Sequence, residues 1–132
     1  MPYEPDNPLA NLQDRLANTE DTARPDAVAK RHSRGGRTAR ENLADLTEDA
    51  SVFEYGQLAV AAQRQRREGD ALFAETAADA VITAVGSVNS AIFPESVAST
   101  ALIINDYTVL AGTQGYFHHR KIDSLLTLAD QD

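Results

Sequence analysis

The stretch NDYTVLAGTQGYFHHRKID, residues 105–123, constrains the fold of this chain more than any other. It joins an apolar run, through a turn of small residues, to a helical stripe. Ahead of it, Ala101, Leu102, Ile103 and Ile104 make a short β-branched run of the kind that becomes a buried strand. Behind it, Ile122, Leu125, Leu126 and Ala129 recur at i, i+3, i+4 and i+7, one face of a helix. Between the two lie Ala111, Gly112, Thr113, Gln114 and Gly115, where minimal side chains let a ligand approach the backbone and the first helical N–H groups are unpaired donors. Such a corner can take an anion or a carbonyl oxygen. A strand, a glycine-containing turn and a helix are also an ordinary connection in α/β domains, so the spacing alone leaves both readings open.

The length, 132 residues, suffices for one small domain that buries roughly two-thirds of its unfolded surface. Its 42% hydrophobic and 24% charged content is that of a globular chain, and no apolar run approaches the ~20 residues of a membrane helix. The opening MPYEPDNPL has neither a basic nor an apolar signal region, which makes the cytoplasm the expected compartment. Without cysteine there is no disulfide, thiol nucleophile or Cys-based zinc site. A net charge of −8 argues against general affinity for nucleic acid. Six of the twelve basic residues nevertheless fall between Arg24 and Arg40, and none lies between Arg67 and Arg120. This segregation permits a local phosphate site on an acidic protein; a solvated basic helix face accounts for it equally.

In chain order, residues 1–24 read as an irregular arm and a helix, with Asn7 as cap, Pro8 in the first turn and Leu9, Leu12 and Leu16 apolar, ending near Glu20. A second helix runs from Pro25 to Gly35 and Gly36. The two carry too little apolar area to stand alone and are expected to pack on something else. Thr38 and Glu41 form a capping box before a short helix through Leu43 and Leu46. A strand follows over residues 52–55, and residues 57–67 end in a basic run expected to be exposed. Residues 80–88 and 98–104 form an antiparallel hairpin with a wide loop that carries Phe93, Pro94 and Glu95.

Catalytic constellations are sparse. His118 and His119 are adjacent, so they point to different sides of a helix and lack the i, i+4 geometry of a helical metal pair; no metal is predicted. There is no Gly-x-Ser-x-Gly elbow and no Walker sequence. Tyr107 can donate a hydrogen bond or simply pack at a strand end.

DYTVLAGTQG followed by HRK resembles the carboxyltransferase component of biotin-dependent acyl-CoA carboxylases. RHSRGGRTARENLADL at residues 31–46, SVFEYG at 51–56 and ADAVITAVGSVN at 78–89 resemble the same family in the same order. The resemblance implies an α/β chain, part of a crotonase-like fold with a helical N-terminal arm, residues 25–132 being a truncated carboxyltransferase domain. It implies transfer of a carboxyl group from carboxybiotin, carried on a partner, to an acyl-CoA, with oxyanions held by backbone N–H groups. Biotin carboxylase and biotin carrier subunits, and further carboxyltransferase subunits, are the implied partners; nucleic acid and membranes are not. Ala111, Gly112, Thr113, Gln114 and Gly115 correspond to the loop against which CoA lies. Arg34, Arg37 and Arg40 are candidates for its phosphates, with helix capping and pairing to Glu41, Asp45 and Glu48 as the competing use. The family continues into a further strand, a glycine pair and a second domain, so this chain is expected not to turn over alone. The rival reading is a non-catalytic interaction protein that associates with a full-length carboxylase subunit or with itself.

Overall fold

A computed structural model describes residues 6–48, 50–62, 69–109 and 115–131. Helix α1 spans Pro8–Ala17, α2 Pro25–Ser33 and α3 Ala39–Leu46; strand β1 is Phe53–Tyr55 and helix α4 Gly69–Glu75. Strand β2 is Val81–Ser87, α5 is the single turn Glu95–Ala98, β3 is Ser99–Asn105 and α6 is Tyr116–Gln131. The three described strands form an antiparallel sheet in the order β1-β2-β3, so the predicted hairpin supplies its central strand, β2, and one edge, β3. The return strand begins one residue later than expected, because Ala98 closes α5.

Alternation of side chains across the strands divides the sheet into two faces. Ile82 and Ala84 of β2 and Leu102 of β3 point toward α3 and pack on Ala39 and Leu43, the main apolar core. The predicted cap holds α3 in place: Thr38 Oγ1 accepts the N–H of Glu41 at 3.0 Å and donates to Asp21 Oδ2 at 2.5 Å. Glu41's own carboxylate meets His32 Nε2 at 2.5 Å, and His32 holds its pKa below the ordinary carboxylate range.

Two expectations about burial are corrected. In α1, Leu9 is 62% and Leu12 42% exposed, while the buried residue is Asn11. The helix is anchored past its C-terminus instead, where Thr19 Oγ1 donates to Leu16 O and accepts from Gln57 Nε2, both at 2.7 Å. In α6, Leu126 is 54% exposed and Ala129 is exposed; the buried positions are His118, Lys121 and Leu125. The stripe is rotated because α6 packs on the polar turn that precedes β2, and that turn selects side chains able to bond to it.

Candidate functional site: the corner between β3 and α6

That turn, Ala77–Ala80, has three consecutive non-glycine residues at positive φ: Ala78 at 51°, Asp79 at 49° and Ala80 at 63°. Each left-handed residue costs roughly 1–2 kcal/mol, so its surroundings must hold it. They do so through α6. Asp79 Oδ2 accepts the N–H of His118 at 2.7 Å and so caps α6 from a distant part of the chain. The carbonyl of Asp79 lies 2.8 Å from His118 Nδ1, and since a carbonyl only accepts, Nδ1 carries the proton. Lys121 Nζ donates to the carbonyl of Ala78 at 2.7 Å and to that of Val81. Burial drives the pKa of Lys121 down to about 8. Gly115 closes the corner: a Cβ there would lie 3.1 Å from Asp79 Oδ1.

On the β3 side, Asp106 donates its N–H to Ala80 O at 2.7 Å, and its Oδ1 accepts from Thr108 N and Oγ1 at 2.9 and 2.5 Å. Arg24 ties α2 to the same turn through Asp106 Oδ2 at 3.4 Å and Thr108 O at 3.2 Å. The strand end and the first turn of α6 are thus both fastened to residues 78–81. Of the five loop residues singled out, Gly115 is in this corner; Ala111, Gly112, Thr113 and Gln114 lie outside the described residues, as does the basic run 63–67.

The three candidate arginines do not converge. Arg40 reaches Glu54 with both branches, at 2.5 and 3.0 Å, which ties α3 to β1. Desolvation opposes its charge, and the hydrogen bond and attraction of Glu54 outweigh that, raising its pKa. With both terminal nitrogens on Glu54 and Nε on the carbonyl of Thr19, the bidentate edge of the Arg40 fork is occupied. Arg37 pairs with Asp45 at 3.2 Å and donates to Glu41 O, as the competing use supposed, and Arg34 is exposed. Asp79, Lys121 and the seat of Arg31 described below were not singled out from the sequence. The signal for Lys121 was its spacing, three residues after His118 and four before Leu125 on one helix face. Nothing in Ala-Asp-Ala signals a left-handed run.

Between α6 and the β1–β2 end of the sheet lies a cavity of ≈ 380 Å³ lined by Tyr55, Thr83, Phe117, Leu125 and Leu128 among others, with Arg120 and Lys121 in its wall. Among the described residues no cluster of His, Asp or Glu could hold a metal ion, and no helix is long and apolar enough to cross a membrane.

The chain is similar to the structure of a single-chain, multi-domain long-chain acyl-CoA carboxylase, at 45% identity and a TM-score of 0.90 over 98% of its own length. The likeness is that of a carboxyltransferase fragment. Two structures of transcarboxylase 12S, one with methylmalonyl-CoA and methylmalonic acid bound and one with hydrolysed methylmalonyl-CoA, share the fold at 23% and 22% identity and a TM-score of 0.70. The chain spans 13% of the carboxylase chain and 23% and 24% of the transcarboxylase chains, so it corresponds to a portion of a carboxyltransferase. No protein-family model and no curated protein matches it.

Proposed function

We propose that this chain forms part of the acyl-CoA-binding wall of a biotin-dependent carboxyltransferase, on a partial crotonase-like sheet. The observation that carries the reading is the 45% identity to a long-chain acyl-CoA carboxylase, which runs over 98% of the chain. In the complete enzyme a carboxyl group would pass from biotin on a carrier subunit to the acyl-CoA. Residues 111–115 are the CoA contact, with Arg34 as a phosphate partner, and the clasp of Asp79, His118 and Lys121 keeps that loop's two ends in register. Residues 1–24 serve as a helical arm and 25–132 as the portion of the carboxyltransferase domain. By itself the chain binds without turning over; catalysis belongs to an oligomer with further carboxyltransferase, biotin carboxylase and biotin carrier subunits.

Isothermal titration with acetyl-CoA, a long-chain acyl-CoA and free CoA tests this. Micromolar binding weakened by Gly112→Val, whose side chain would push ligand off the backbone, is the expected result. No heat from a folded chain would sink the reading.

One observation favours a second reading, association with another subunit or with itself. Phe53 and Tyr55 of β1 and Ile103 of β3 share one sheet face, and they are 64%, 42% and 41% exposed. A concentration-dependent sedimentation profile abolished by Phe53→Ser would support it.

A further inference from the structure

Of the six basic residues between Arg24 and Arg40, the structure neutralises three: Arg24 by Asp106, Arg37 by Asp45 and Arg40 by Glu54. No ion pair with a described carboxylate engages Lys30, Arg31 or Arg34. Among these, Arg31 alone has an ordered seat. Its Nε donates to the carbonyl of Arg37 at 2.9 Å, and its guanidinium carbon stands 5.1 Å from the centre of the Tyr107 ring. Gly36 makes room for it: a Cβ at that position would lie 2.4 Å from the guanidinium carbon. With Nε spent on Arg37, no described residue accepts a hydrogen bond from the two terminal nitrogens, and Tyr107, itself 59% exposed, holds the guanidinium near the surface. Tyr107 sits just past the end of β3, on the turn that Arg24 fastens.

The geometry points to Arg31, seated on Tyr107, as the guanidinium that binds a phosphate of the nucleotide end of coenzyme A, an assignment that rests on the acyl-CoA reading above. A fork whose orientation is already fixed loses little freedom on meeting a phosphate and can give it two parallel N–H···O bonds. Arg40, which the sequence offered, gives both branches of its fork to Glu54, and Arg37 gives one to Asp45 and the other to the carbonyl of Glu41. The net charge of −8 makes the distinction matter, since an acidic chain needs a local unneutralised cation to receive a polyanion.

Titration calorimetry of the full chain with CoA, dephospho-CoA and pantetheine tests the assignment. Arg31→Ala should weaken CoA by ~10-fold or more and leave pantetheine unchanged. Tyr107→Phe should bind as wild type, because the ring is kept, and Tyr107→Leu should lose affinity in the same direction as Arg31→Ala. A loss shared by dephospho-CoA assigns the pyrophosphate; a loss confined to CoA assigns the 3′-phosphate; either supports the proposal. Equal CoA affinity in wild type and in a folded Arg31→Ala chain, checked by circular dichroism, overturns it while leaving the CoA reading intact. A folded wild-type chain that takes up neither CoA nor pantetheine overturns the acyl-CoA reading, and this assignment with it.

Discussion

On the face of the sheet that meets α3, Ile82, Ala84 and Leu102 close on Ala39 and Leu43, a cluster made wholly of apolar side chains. On the side that meets α6, Thr83 of β2 lines a cavity, and the helix buries His118 and Lys121 against a strained turn. The first contact is non-directional and is stabilised by the area removed from water. The second depends on geometry: three left-handed residues turn the carbonyls of Ala78 and Asp79 toward α6, and the helix answers with N–H donors. Stability and site preparation are thus divided between two sides of one thin sheet. Strain of this kind concentrates where a backbone must be held in one arrangement, and here it lies under the two ends of the candidate CoA loop.

The largest expected effect tests the apolar face. Leu43→Ala removes a buried side chain from the α3 contact and should cost about 3 kcal/mol in urea unfolding, with CoA affinity per folded molecule unchanged. A loss of affinity in that variant, measured well below its unfolding midpoint, would show that the two faces are not independent.

The α6 side carries a pH signature that the α3 side lacks. Lys121 has a pKa of about 8 when folded, against ~10.4 in an unfolded chain. Between those values the unfolded chain binds the proton and the folded one does not, so stability from this group rises with pH across that window, by up to ~3 kcal/mol. The neutral amine still has two N–H donors for the carbonyls of Ala78 and Val81. Urea midpoints at pH 7.5 and 9.5 should therefore diverge in the wild type and converge in Lys121→Met. A midpoint that does not rise with pH in the wild type would mean that Lys121 keeps its charge when buried.

The smallest effect sharpens the α3 side. Thr38→Ala deletes the cap on Glu41 N–H and the contact with Asp21, and should lower stability by ~1 kcal/mol. Thr38→Ser keeps the hydroxyl and should recover most of it.

How far the fold could be read in advance follows the same division. The hairpin of β2 and β3, the capping box at Thr38 and the helices from Pro8 and Pro25 were legible because each is announced by local chemistry: β-branched runs, a hydroxyl three residues before a carboxylate, a proline in the first turn. The apolar face was legible for the same reason, since Leu43 falls on a helical stripe and Ile82, Ala84 and Leu102 alternate along strands. The face of α6 was legible only in part, at Leu125. Hydrophobic spacing selected Leu126 and Ala129, whereas the burial of His118 and Lys121 depends on carbonyls some forty residues earlier, which no local pattern reveals. Nor could the sequence rank the phosphate candidates: Arg34, Arg37 and Arg40, and Arg31 beside them, are equivalent as letters, and only the positions of Asp45, Glu54, Gly36 and Tyr107 separate neutralised cations from a seated one. The sequence by itself determined most of the elements and pointed to the likeness, because propensity, capping and periodicity act over a few residues. The tertiary structure alone decided which charges are spent and which are free, because a charge is neutralised by whatever the fold brings within a few ångströms of it.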